Sequence, residues 1–279
     1  MNFTYTGIES SPSSWRIAGD GEGREGVVVV AEGLEGLVAE VKVHTEPAAA
    51  ATGMRPLGFD VEEMNGTLSY LVGDDFLAAD SGLGDGPDVV DAIYRRWRAA
   101  WTLNPLHPAG GGLLTAHAPG KPALSTRVRA TKMPGPERSP DAPSGDWVAG
   151  EMDIVSDLGI WVGEDEPVAP GRVWRNSGDL PVYPQIHWTG SGKSFTPPGL
   201  STPVALPSTS TPLVLDTDPA TGGVIRADAP GGELDHPAWR AMRGRRVPRP
   251  IEIGGTSEGW VLDGCSMSCR VLVLDPWAW

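Results

Sequence analysis

Residues 172–192 read RVWRNSGDLPVYPQIHWTGSG, and how this stretch is taken decides the fold. It carries Trp174 and Trp188, a turn-forming Asn176-Ser177-Gly178, Pro181 and Pro184 on either side of Tyr183, and a closing Gly-Ser-Gly. Aromatic rings beside Asn, Asp and His suit a sugar-binding cleft or a catalytic pocket. The same residues suit two strands joined by a turn. Along Ile186-His187-Trp188 a strand places Ile186 and Trp188 on one face and His187 on the other. Asn176 and Gly178 then set the turn. The two prolines fit an edge or strand-start position, where a missing N–H costs nothing. The reading is a pair of strands entering a β-sandwich.

Toward the C-terminus the chain keeps this pattern, with STPVALP, PLVLDT, GVIRAD, RPIEIGG, WVLDG and CRVLVLD as short strand-like runs. Their spacing of roughly 8 to 12 residues, with turn signals between, is that of a sandwich or barrel. One short helical turn is expected at LDHPAWRAMRG, started by Pro237 and stopped by Gly244. The acidic, proline-broken EDEPVAPG before residue 172 marks a boundary between domains 1–165 and 166–279.

In the first domain, 2–8, 25–31 and 36–43 read as β-branched strands, the last two joined by EGLEG as a hairpin loop. Residues 46–60 and the Gly/Pro/His-rich 107–122 read as loop, 68–80 as holding a short strand, and 147–163 as a strand pair. In 124–133, Leu124, Thr126, Val128 and Ala130 alternate with Ser125, Arg127 and Arg129, as in a half-buried strand. The turn-former run 134–146 reads as a long exposed loop. A single helix is expected near 87–102. Val90, Ile93, Trp97 and Trp101 recur at helical spacing beside Tyr94, after Pro87 and Asp88 and before Asn104-Pro105. Arg95, Arg96 and Arg98 fall in its second half, where the helix dipole favours cations, and the helix is read as packing on the sheet by its Trp face in preference to serving as a basic partner-binding helix. The fold class is mainly β: two β-sandwich-type domains, the first with one α-helix.

Composition agrees. Gly (37) and Pro (27) make up nearly a quarter of 279 residues, which argues against a helical bundle. The net charge of -14 leaves no basic footprint for sequence-specific nucleic-acid binding. Acid is concentrated early: residues 1–163 hold 12 basic and 23 acidic side chains, a net of -11, against 10 and 13, a net of -3, in the remainder. The longest apolar run, VVVVA at 27–31, is far short of the ~20 residues of a membrane span. The N-terminal residues show no secretory pattern, so a soluble protein made in the cytoplasm is expected. Cys265 and Cys269 make neither a disulfide framework nor a zinc site and read as small buried or edge residues.

Signals for chemistry are weak. Glu233, Asp235 and His236 form the nearest thing to a metal cluster, and Asp235 is as well explained as a helix N-cap. GSGKSF at 190–195 lacks the spaced glycine and following helix of a phosphate loop and reads as a surface hairpin turn. No G-x-S-x-G elbow is present, and acidic pairs such as Asp216 and Asp218 fit strand ends and turns. The run Arg240, Arg243, Arg245, Arg246 and Arg249 is either a solvated face or a contact with an acidic neighbour. No catalytic, cofactor or metal residue is assigned.

The order DLGIWVG, an Asn-Ser-Gly turn, PVYPQI, a Gly-rich turn, LVLDTDP, WRAMRG and a final WAW resembles the C-terminal part of the distal tail proteins (minor tail proteins) of long-tailed, siphovirus-type bacteriophages. In that family such a stretch opens a galectin-like β-sandwich. Asn176, Gly178, Pro184, Ile186 and Gly190 occupy the signature positions. The resemblance covers 150–279 clearly and the first half in outline. It implies a structural protein without catalysis or cofactor. The N-terminal belt domain would form a homohexameric ring between tail tube and tail-tip hub, near the tape-measure protein, in a virion tail tip assembled in the host cytoplasm. An acidic ring would suit a channel through which DNA slides without sticking. The alternative is a carbohydrate-binding, receptor-binding tail protein, with Trp174, His187 and Trp188 as a stacking platform.

Overall fold

The computed structural model describes residues 1–8, 14–47, 54–77, 87–133, 147–229, 231–245 and 249–279; the loop expected over 134–146 lies outside them. The described chain is mainly β and forms two compact units, Met1–Val162 with Leu274–Trp279, and Gly163–Val273. The division therefore falls at 162/163 where the sequence placed it at 165/166. Residues 274–279, expected in the second domain, belong to the first unit. Their side chains explain why. Trp277 packs on Phe3 with ring centroids 5.1 Å apart, and the Trp279 indole donates to the Pro122 carbonyl at 3.3 Å. The Ala39 amide also donates to the Leu274 carbonyl at 2.9 Å.

The first unit contains β1 (Asn2–Thr6), β2 (Ser14–Ala18), β3 (Val27–Gly36), β4 (Val41–Pro47), β5 (Met54–Val61), β6 (Met64–Gly73), α1 (Pro87–Ala99), β7 (Gly112–His117), β8 (Leu124–Lys132) and β9 (Trp147–Ser156). Seven of these strands follow the antiparallel path β2-β1-β7-β8-β9-β6-β3. The stripe read from the sequence is the buried face of α1, with Val90, Ile93 and Trp97 buried on it and Trp101 buried two residues past its end. Trp97 meets Tyr5 of β1 at 5.5 Å, Trp15 of β2 at 5.3 Å and Tyr70 of β6 at 5.6 Å. Four strand spacings separate β1 from β6, about 19 Å in a flat sheet. Both rings nevertheless touch one indole, so the sheet curls around the helix. The alternation of β8 is as expected, with Leu124, Thr126, Val128 and Ala130 buried. Thr126 is satisfied there by the Ser156 hydroxyl at 2.7 Å and the Ile160 carbonyl at 2.9 Å.

Several strand assignments differ from the sequence reading. Residues 112–117, inside a run read as loop, form β7 between β1 and β8. EGLEG does not turn the chain; β3 runs through it and pairs with β6, with a register shift between Val29 and Leu34. Glu32 sits there at φ 58°, a bulge conformation that a hydropathy pattern does not reveal. The turn comes at Gly36 and Leu37, with φ 76° and 54°. The run 54–60, read as loop, is most of β5, which pairs with β4 in a sheet of its own.

The short strand β10 (Trp161–Gly163) runs across the division; the second unit contains β11 (Glu166–Val168), β12 (Gln185–Gly190), β13 (Ser194–Thr196), β14 (Val204–Ala205), β15 (Thr209–Asp216), β16 (Ile225–Ala227), α2 (His236–Ala241), β17 (Val261–Asp263) and β18 (Ser266–Cys269). A five-stranded sheet, β11-β18-β12-β15-β16, faces a three-stranded one, β14-β13-β17. Ile186, Trp188, Leu213, Leu215 and Met267 from the first and Phe195 and Val204 from the second share one buried cluster, which makes the unit a β-sandwich. The GSGKSF turn is the corner between these sheets, since β12 and β13 lie in different ones. Gly190 at φ 90° and Gly192 at φ 68° make that corner.

Candidate functional site

The stretch 172–192 holds one strand, β12, where two were expected; residues 172–184 make only the isolated bridges Arg175 with Thr256 and Val182 with Ile251. Asn176 accounts for this. Fully buried, its carboxamide nitrogen donates to the Leu180 carbonyl at 2.8 Å and the Ile251 carbonyl at 3.0 Å. Its oxygen accepts from the Gly178 amide at 3.0 Å. A side chain that satisfies the backbone locally removes the need for a ladder. Gly178 is a close approach: a Cβ there would lie 2.5 Å from the Leu272 carbonyl oxygen. The Pro184 carbonyl accepts from the Thr217 hydroxyl at 2.6 Å, Ile186 is in the core, and Gly190 turns the corner. These five residues thus lie in the second unit at a turn, a close backbone approach, a strand start, the core and a sheet corner.

The stacking platform does not assemble. Trp188 is buried in the sandwich core with its indole donating to the Pro207 carbonyl at 2.9 Å. His187 faces the other way, toward Asp228 and Ser268. Trp174 is partly buried and donates to Glu166 at 3.0 Å beside a cleft of about 270 Å³ lined by Arg172, Arg175 and Ser177. Of the metal candidates, Asp235 caps α2 through the Ala238 amide at 2.9 Å. Arg240, Arg243, Arg245 and Arg249 are exposed, with Arg243 over the Trp239 ring; Arg246 lies outside the described residues. Cys265 and Cys269 are free thiols, and burial pushes that of Cys269 up to about 12.

The surface best suited to a function is the ribbon β4–β5. Val43 pairs with Phe59 and Val41 with Val61. Period-2 alternation gathers these four on one face, Val41, Val43 and Phe59 being 41%, 55% and 45% exposed. The opposite face is charged: Lys42 lies 3.9 Å from Glu62, and His44 bonds Asp60 at 2.7 Å. Such exposed pairs contribute little to stability. A two-stranded ribbon alone is marginal in water, and its apolar face is left largely open within the described first unit.

No family model matches the chain, and no curated protein does. Solved structures do. The SPP1 Dit (gp 19.1) protein, a paradigm of the hub adsorption apparatus in phages infecting Gram-positive hosts, aligns over 97% of this chain and 98% of its own, with TM-score 0.55 and 10% identity. The phage P2 baseplate in its activated conformation contributes a chain aligned over 97% of both with calcium (TM-score 0.54, 7% identity). The strontium form aligns over 96% of this chain and 97% of that one (TM-score 0.50, 7% identity). The likeness is one of fold. It spans both units, including the first half, where the sequence carried the resemblance only in outline. The signal for the ribbon was faint in the sequence, because Gly, Pro and Ala dominate 46–58 and its apolar residues number only a few.

Proposed function

We propose that this protein is a structural component of a phage tail tip, a distal tail protein whose first unit assembles into a ring joining the tail tube to the tail-tip hub. The observation that carries the reading is the largely open apolar face of β4–β5, in a chain with the fold of a hub protein throughout its length. A second copy of the chain is the cover that a homo-oligomer supplies, and repetition of one such contact around an axis closes a ring. Six copies are the expected number, with the tail tube, tape-measure and hub proteins as neighbours. The galectin-like assignment for the second unit and the tail-tip location in the virion, after assembly in the host cytoplasm, belong to the same reading.

Mass photometry of the purified protein, alone and mixed with its tail-tube partner, tests it. A discrete oligomer is expected, in at least the mixture. A protein that remains monomeric in both would sink the proposal.

A further inference from the structure

On the face of the five-stranded sheet turned away from the sandwich core, three side chains distant in sequence are joined in a line. His187 of β12 bonds Asp228 Oδ2 through Nδ1 at 3.0 Å and Ser268 Oγ of β18 through Nε2 at 2.8 Å. An ionised carboxylate only accepts hydrogen bonds, so with Asp228 ionised the neutral imidazole carries its proton on Nδ1. Nε2 is then an acceptor, and the Ser268 hydroxyl donates to it. That polarity is what a serine nucleophile needs: a base on the hydroxyl, and an acid that holds the base in the right tautomer.

The strand register places two further donors beside Ser268. Gln185 is directly opposite it on β12, where cross-strand Cβ atoms are about 4.5–5.5 Å apart. Arg270 follows Ser268 by two positions and lies within Coulombic reach of Asp216, the partner of Gln185 on the other side. A carboxamide and a guanidinium on that face are placed to take charge developing on an oxygen. The aliphatic neighbours are few, Val214 opposite His187 and Pro167 opposite Ser268. Ser268 itself is only 4% exposed, which limits the acyl group that can reach its hydroxyl to a short one.

We propose that Ser268, His187 and Asp228 form an acyl-transfer site that hydrolyses short-chain carboxylic esters, with Gln185 and Arg270 holding the oxyanion. Ser268 Oγ attacks the acyl carbon while its proton passes to His187 Nε2. The ester C–O bond breaks, the leaving alcohol takes that proton, and an acyl-serine remains. Water then attacks the acyl carbon, gives one proton to Nε2, and the acid departs as Oγ regains it. Ester and water become acid and alcohol, with no other reactant. The site is independent of ring formation: reaction at Ser268 in a protein that stays monomeric both alone and with its tail-tube partner would refute the ring and keep the esterase.

A fluorophosphonate probe followed by peptide mass spectrometry, with p-nitrophenyl acetate turnover in parallel, tests it on the full chain. The expected adduct is on Ser268, absent from Ser268→Ala. His187→Gln should slow labelling by about 100-fold or more. Asp228→Asn, at a more exposed position, should slow it at least about tenfold and keeps the test open if the histidine variant unfolds. Ser268 labelled no faster than other serines, or equally fast in a folded Asp228→Asn protein, overturns the proposal and leaves the three residues as a hydrogen-bonded brace across the sheet.

Discussion

Replacing Asn176 should unfold the second unit well before the first. Three hydrogen bonds leave with the carboxamide, but their loss is unequal. The Ile251 carbonyl keeps the Val182 amide at 3.0 Å. The Gly178 amide and the Leu180 carbonyl lose the bond that Asn176 gave them in a buried setting, at about 1–3 kcal/mol each. Asn176→Ala should therefore cost about 3–4 kcal/mol, the lost third bond and packing included. Asn176→Asp separates polarity from size. It keeps an acceptor for Gly178 but sets a carboxylate against two carbonyls, so at neutral pH it should do at least as much damage as alanine. Acidification should recover part of the loss, because a protonated carboxyl can donate to one of them. Cys269 gives the assay: it is a free thiol, 1% exposed, in the second unit alone. Pulsed alkylation of Cys269 against urea concentration follows that unit without interference from the first. An alanine variant shifted by under about 1 kcal/mol, or an aspartate variant as stable as wild type at pH 7, would refute the reasoning.

Trp97→Ala removes the ring on which Tyr5, Trp15 and Tyr70 converge; a loss of about 3–5 kcal/mol confined to the first unit is expected by calorimetry. Val43→Lys puts a charge on the apolar face of the ribbon, where the side chain is already 55% exposed, so the monomer's melting temperature should stay within about 2 °C while oligomers seen by mass photometry are lost. Arg129 makes two hydrogen bonds to Asp157, at 2.9 and 2.8 Å, and these hold the Asp157 carboxyl below its ordinary value. The stability from that pair is present above the unfolded carboxylate pKa and is lost as pH falls through the lower folded value. With Asp157 47% exposed, Asp157→Asn should cost at most about 1 kcal/mol at pH 7, and melts at pH 2 should show the gap closing.

The helix and β8 were legible because each buries one face, and one-sided burial writes a period into the sequence. The sandwich was legible from turn spacing. What escaped had other causes. The passage of β3 through EGLEG depends on Glu32 taking a left-handed backbone, which no neighbour's identity demands. The ribbon hides because its apolar face is largely open within its own unit and sparse. The irregular path of 172–184 follows from where one carboxamide finds its partners, one of them 75 residues away. The Ser268, His187 and Asp228 line joins residues 41 and 81 positions apart, so no local motif could announce it.

The return of 274–279 to the first unit makes the second an insertion, with both of its ends tied to the same host. On the ribosome this imposes an order. Phe3 is made before the insertion, yet its partner Trp277 emerges only after all of 163–273 has been synthesised. The first unit therefore waits, incomplete, through the birth of the second. A chain whose translation stops inside the insertion lacks the indole that packs on Phe3.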